Sequence, residues 1–443
     1  MNKTMLLEGP VRGTMLRFAL PIMLSMVTTR LYSMVDAMIV GLCLDADALA
    51  AVSSAYSVLT IFLFVSGGME LGGSLLAAAA RPGSTPGEMS RLTWNILAVD
   101  LGAAVLMLAG GLWGMRDLLV LINTPQEILE PAALYGIICL AGLPCMMLYD
   151  LARQLVIGCG ESKVPLYAVI ATSALNIVLD LLLVGPLGVA GAAAATSIAQ
   201  AAGCVFMLRY LRRTLLVERF RLRQLDWRLF GEIMGLSVPN MLQQAGGTAV
   251  VIVRQALLGP LGVAAIAGFS SAGKLSSLLL VPVYGLMQSL VVFIAQNRAA
   301  GQPDRAEEGV RSARVLLLGY TALVVALCAL ASRSLIGLFT TDQEAIFCGV
   351  LLLSRECWTF PVANLRHLQE ARLRGRKKMT LYLASSTAAL ASNILACLAL
   401  VPRVGFPGFY LATYISTPLG LLFSTALVRL SNRESIDTGA RAA

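Results

Sequence analysis

The chain repeats itself once. Leu20-Pro21-Ile22-Met23-Leu24, followed by Asp36 and Gly41, returns as Val238-Pro239-Asn240-Met241-Leu242, followed by Arg254 and Gly259. The shift from Pro21 to Pro239 is 218 residues, about half of the 443-residue chain. Both copies lie in apolar sequence, so the fold must be built from two related bundles, an arrangement that places binding sites between or inside the repeats of membrane proteins. The copies differ at one telling position: the carboxylate of Asp36 stands where the second copy has the guanidinium of Arg254. The halves share a scaffold but not a chemistry.

The repeat recurs further along. Gly158-Cys159-Gly160-Glu161-Ser162-Lys163-Val164-Pro165-Leu166-Tyr167 corresponds to Arg374-Gly375-Arg376-Lys377-Lys378-Met379-Thr380-Leu381-Tyr382, each a glycine turn with a cation entering a helix. Asn176, Gly188, Gly191 and Thr196 then match Asn393, Gly405, Gly408 and Thr413 at a constant shift of 217, while Asp180 faces Cys397.

Composition fixes the solvent. Hydrophobic residues make up 57% and charged residues 13%, and mean hydropathy is +0.78, against about 25% charged residues in soluble domains. Runs long enough to cross a ~30 Å hydrocarbon core fall at 14–41, 48–79, 92–114, 129–157, 164–186, 189–211, 230–258, 264–297, 312–332, 345–373, 379–401 and 405–430. The expected fold is therefore an all-α integral membrane protein with twelve transmembrane helices in two pseudo-symmetric six-helix bundles. Residues 1–213 form the first lobe, 214–229 a basic linker and 230–443 the second lobe. The linker connection carries Arg209, Arg212, Arg213, Arg219, Arg221, Arg223 and Arg228.

The net charge of +9 does not indicate nucleic acid, because no soluble domain accompanies the basic segment. Assigning alternate loops to one face gathers most of the 34 Lys and Arg there, against Arg116, Arg333 and Arg403 on the other. The positive-inside rule then makes both termini cytoplasmic and lays the linker against anionic headgroups of the membrane. Met1–Gly13 is short and polar, unlike a cleaved signal, so the chain is expected to insert whole. The nine cysteines are scattered without a CxxC pair and read as packing residues. Gly185-Pro186-Leu187-Gly188 and Gly259-Pro260-Leu261-Gly262 read as tight turns. The segment from Asn297 to Arg314, with Glu307, Glu308 and Arg311, reads as a short amphipathic helix along the membrane surface.

An ionisable side chain inside a span costs at least ~2.5 kcal/mol on insertion scales and calls for a reason. The first half holds Asp36, Glu70, Asp100, Asp150 and Asp180, whereas Ile233 to Pro303 contains no acid at all. Cation or proton binding is thus expected in the first bundle. Asn176 and Asp180, four apart, share a helix face that Ser173 extends. Tyr32 stands one turn before Asp36, and Gln200 one turn after Thr196. Such oxygens suit a hard monovalent cation, and two close carboxylates equally suit a proton. The plain alternative is that Asp36 and Asp180 only bond polar neighbours and fix helix packing. Asp150 and Arg153, three apart, read as a self-neutralising pair. Glu70 and Asp100 are balanced between cavity lining and local hydrogen bonding. Arg254, Lys274 and Arg355 make the second bundle's interior positive, either pairing with acids such as Glu356 or lining a cavity. Pro21, Pro239, Pro282 and Pro361 mark bending points.

These residues resemble the multidrug and toxic compound extrusion (MATE) family. The matching segments are Leu20-Pro21, Val35-Asp36-Ala37-Met38-Ile39-Val40-Gly41, Ala48-Leu49-Ala50-Ala51-Val52, Gly160 to Tyr167, Asn176-Ile177-Val178-Leu179-Asp180 and Gly188 to Ala193. The resemblance implies a V-shaped pair of six-helix lobes that open alternately inward and outward and export amphipathic, often cationic compounds on a Na⁺ or H⁺ gradient. It implies a cation site at Asp36, Asn176, Asp180 and Thr196, with Tyr135 nearby and Pro21 as the bending point. The family's other branch uses an acid in the seventh helix, which is absent here. The polar tenth helix, Asn364-Leu365-Arg366-His367-Leu368-Gln369-Glu370, departs from the family pattern.

The expected activity is cation-coupled antiport by a bacterial inner-membrane monomer, with Na⁺ or H⁺ as coupling ion, no other cofactor and no enzymatic chemistry. The rival is a flippase for a lipid-linked saccharide, for which Arg254, Lys274 and Arg355 could bind pyrophosphate.

Overall fold

The structure, a computed structural model, describes residues 6–44 and 46–442, and their side chains except at 46, 222 and 433–442. The first five residues of the polar Met1–Gly13 segment lie outside the described residues. The described chain is helical throughout. Six helices precede the linker: α1 Val11–Cys43, α2 Ala46–Ala80, α3 Pro86–Leu121, α4 Gln126–Gly158, α5 Lys163–Leu187 and α6 Val189–Thr214. Six follow: α7 Trp227–Leu258, α8 Val263–Ala299, α9 Pro303–Ile336, α10 Gln343–Gly375, α11 Met379–Val404 and α12 Gly408–Ala442. At 25 to 37 residues and about 1.5 Å per residue, each exceeds the hydrocarbon thickness. All except α7 are long and apolar enough to span by length and composition. Helix α7 is long enough, but Asn240, Gln243 and Gln244 interrupt its apolar run.

Sequence sets the helix ends. Pro86 opens α3 at a position that needs no N–H. Thr85 caps it reciprocally: its hydroxyl accepts from the Glu88 amide, and the Glu88 carboxylate accepts from the Thr85 amide at 2.8 Å. Asp342 caps α10 by accepting from the Glu344 amide at 3.0 Å.

The sequence repeat is also a repeat of backbone bonds. At the end of α4, Gly160 N–H donates to Ile157 O and Glu161 N–H to Val156 O. At the end of α10, Lys377 N–H donates to Arg374 O and Lys378 N–H to Leu373 O. Gly160 has φ +88° and Lys377 φ +58°, so one left-handed turn is held by glycine in the first copy and by lysine in the second. Two residues back, a Cβ on Gly158 would lie 2.5 Å from the Ser74 carbonyl, and one on Gly375 would lie 3.0 Å from the equivalent Val291 carbonyl. Small residues let backbones approach where lipid supplies no hydrophobic drive. Gly160→Ala is expected to lower stability by about 1–2 kcal/mol, whereas Lys377→Gly should not lower it; thermal unfolding of the purified proteins checks the contrast.

The chain forms two compact units, and their division does not follow the linker. One comprises mainly Leu20–Met241; the other joins Glu8–Ala19 to the residues from Leu242 onward. The boundaries fall beside Pro21 in α1 and just past Pro239 in α7, not at 213 and 230. In the first unit, the start of α7 packs on α2: Asn240 Nδ2 donates to Gly67 O at 3.0 Å, and Gly68 abuts the Ser237 carbonyl. In the second, Arg305 donates to the Glu8 and Gly9 carbonyls at 2.8 Å. Each unit has its own core. Val40, Val58, Met115, Leu140 and Met147 lie in the first, and Leu275, Cys328, Leu353, Cys397 and Phe409 in the second.

One local expectation is corrected. The segment from Asn297 to Arg314 is not a separate surface helix: after a turn at Gly301, α9 begins at Pro303 and runs unbroken to Ile336. Glu307 bridges Arg372 of α10 and Arg376 just past its end, both at 2.7 Å, which ties this first stretch to its neighbour. The tenth span breaks its α-helix beside Pro361, an expected bending point: a 3₁₀ turn at Cys357–Thr359 separates Gln343–Glu356 from Phe360–Gly375. The linker is strapped to α3. Trp94 Nε1 donates to Glu218 O and Asn95 Nδ2 to Gln224 O, both at 2.9 Å, while Asp226 N–H donates to Asn95 Oδ1 at 2.8 Å. Asn95→Leu is expected to release the strap and raise the rate of protease cleavage between Leu215 and Asp226 several-fold over wild type.

Candidate functional site

Asp36, Asp180 and Thr196 stand seven residues from the same end of the first unit, counted to Cys43, Leu187 and Val189. At about 1.5 Å per residue this puts them at one level, about 10 Å inside the helix ends. The antiparallel order of α1, α5 and α6 thereby brings together side chains far apart in sequence. The carboxyls of Asp36 and Asp180 lie within hydrogen-bonding reach of one another. Asp180 is fully buried and Asn176 is 3% exposed. Asn176 Nδ2 donates to Thr196 Oγ1 at 3.4 Å, so the amide oxygen is turned away from that contact. Tyr135 on α4 is buried beside Asp36, with Cys139 one turn further on.

The oxygens carry the chemistry of this cluster. Asp36 Oδ1, both Asp180 carboxylate oxygens, Asn176 Oδ1, Ser173 Oγ and Gln200 Oε1 are buried without a hydrogen-bond partner among the described residues. Buried polar atoms are normally paired, and two carboxylates without a counter-charge cannot both stay ionised in a low-dielectric interior. A shared proton or a hard monovalent cation satisfies the group, and the donor set of carboxylate, amide and hydroxyl oxygens fits either.

Glu70 and Asp100 do not join this cluster. Glu70 accepts from Ser66 at 3.2 Å and from Gln154 at 3.4 Å, near Asp150 and Arg153. Arg153 pairs with Asp150 as the spacing predicts and lies 5.0 Å from the Tyr149 ring centroid. Asp100 is 1% exposed, and its Oδ2 has no partner among the described residues. Pro21 is buried within α1, fifteen residues from Asp36.

In the second unit Arg254 is half-buried, whereas Lys274 and Arg355 are exposed. Arg254 takes the pairing alternative: Glu356 binds its guanidinium at 2.7 Å. In the tenth helix, Glu370 is paired with Arg366 and lies 3.3 Å from His367. Cys139 was not singled out from sequence; its place one turn from Tyr135 was the available signal.

Two repeat-related bundles of membrane-crossing helices, with uncompensated carboxylates held inside one of them, define a repeat-built membrane transporter. Residues 21–182 and 238–398 match the profile of the MatE family, and the chain belongs to that family. A second profile, "Lipid II flippase MurJ", matches residues 135–239.

Among curated relatives, the chain is 26% identical to the "Probable multidrug resistance protein YoeA" of Bacillus subtilis over 81% of this chain and 80% of the relative. It is also 26% identical to a "FAD transporter" of Shewanella oneidensis over 77% of each. Among solved structures, "MATE in the bent conformation" superposes with a TM-score of 0.90 at 20% identity over 99% of both chains. The outward-facing conformation of a multidrug resistance MATE family transporter gives 0.88 at 20% identity over 97% and 98%. At that identity the superpositions speak to fold alone.

Proposed function

We propose that the chain is a cation-coupled antiporter that exports amphipathic, mainly cationic compounds from a bacterial cell across the inner membrane. The observation that carries this reading is the Asp36–Asp180 pair, two carboxylates on different helices with buried oxygens that no donor among the described residues satisfies. The coupling ion, Na⁺ or H⁺, is held by Asp36 and Asp180 with Asn176 and Thr196, and Tyr135 walls the site. Ion and substrate favour different conformations, so binding of one drives release of the other. A bend at Pro21 links the ion site to that change. The basic linker and the loops on its side face the cytoplasm, as both termini do. The multidrug resistance named for YoeA and the multidrug export named for MepA of Staphylococcus aureus support the choice of cargo.

A second reading, a flippase or an exporter of anionic amphiphiles, has its own support in the MurJ profile match and in the FAD transporter relative. Uptake of a fluorescent cationic dye into inverted vesicles, energised separately by a Na⁺ gradient and a pH gradient, tests the first reading and identifies the ion. Uptake under one gradient supports antiport of cations; uptake under neither, with complementation of a glycolipid-export defect, supports the second.

A further inference from the structure

The repeat maps the four ion-site residues of the first unit, and the neighbouring Cys139, onto residues of the second. Asp36 corresponds to Arg254, Cys139 to Glu356, Asn176 to Asn393, Asp180 to Cys397 and Thr196 to Thr413. The mapped residues again form one cluster. Arg254 Nη2 lies 2.7 Å from Glu356 Oε1, and Thr413 Oγ1 donates to the same oxygen at 3.0 Å. The guanidinium carbon lies 4.8 Å from the Phe269 ring centroid and 5.6 Å from that of Phe409. Cys397, fully buried, directs its thiol to Asn393 Oδ1 at 3.8 Å, and Asn393 Nδ2 donates to Ser416 Oγ at 3.0 Å. The cation and its carboxylate are 19% and 15% exposed.

The two clusters therefore balance charge differently. The first has two acids and, among the described residues, no cation paired with them and several oxygens without partners. The second has one acid, moved from the position of Asp180 to that of Cys139, with a guanidinium bound to it. A carboxylate, a hydroxyl and two aromatic faces are what a small organic cation requires. Here the cation is covalently part of the chain.

We propose that Arg254 is a tethered cation. In the second unit it fills the counterpart of the place an exchangeable ion takes in the first, and so confines ion coupling to one unit per chain. Without its side chain, Glu356, Thr413, Phe269 and Phe409 would form a site for a free monovalent cation, guanidinium above all. The inference rests on the antiport reading for the role of the first cluster, but the pocket can be tested independently.

The experiment is thermal unfolding of the purified full-length protein in detergent, with and without guanidinium chloride at about 10 mM, far below denaturing concentrations. Arg254→Ala is expected to melt about 3 °C or more higher with guanidinium, whereas wild type and Arg254→Ala/Glu356→Gln should move by less than about 1 °C. Arg254→Gln, which keeps a polar side chain between the two rings, serves as the variant if Arg254→Ala does not fold, with the same expected shift. No shift in the single variant, or an equal shift in the double variant, would overturn the proposal. The antiport reading fails by a different result: an Asp36→Asn protein that retains gradient-driven uptake.

Discussion

Asp36→Asn is expected to reduce gradient-driven uptake at least tenfold, to the level of vesicles without the protein, while the amount of folded protein in the membrane stays at wild type. The substitution keeps the side chain's shape and removes the charge that, with Asp180, holds the coupling ion. Asp180 alone then lacks the second carboxylate of the pair, so the coupling ion loses one of its two charged ligands. Asp180→Asn should give the same loss, and the double variant should be no worse than either, because the pair acts as one site. Uptake measured beside the amount of folded protein separates loss of coupling from loss of fold.

Arg153→Met is expected to destabilise the first unit by about 3–5 kcal/mol, the cost of leaving buried carboxylates without their cation. Arg153 is the guanidinium beside Asp150, with Glu70 close by, and its side chain is only 16% exposed. Asp150→Leu placed on top should restore most of the loss, since an apolar pair replaces an ion pair at little cost in lipid. Melting of the two single variants and the double variant gives the coupling energy directly. Equal destabilisation by Arg153→Met in the presence and absence of Asp150 would mean that the pair is not what holds this arginine.

Much of the fold was legible because hydropathy and repetition are properties of the sequence itself. The twelve apolar runs became twelve helices, and the shift between Gly158 and Gly375 reappeared as the same backbone turn and the same close approach to a carbonyl. The Asn176–Asp180 stripe was legible because residues four apart share a helix face.

What hydropathy does not carry is direction. It could not separate Arg254, turned to Glu356, from Lys274 and Arg355, which are exposed. Nor could it show that Glu307 would bind Arg372 and Arg376 and so continue α9 through a stretch that reads as a surface helix. The strap of Asn95 and Trp94 on the linker depends on partners distant in sequence. Cys139 looks like packing until the repeat sets it opposite Glu356.

The most direct test of the account is reciprocal flux in proteoliposomes: an imposed gradient of a cationic dye should drive the coupling ion the opposite way, because exchange is reversible. The account predicts dye-driven counterflow of Na⁺ or H⁺ in wild type and none with Asp36→Asn. Dye movement with no ion flux, or an equal ion flux in the variant, would contradict it.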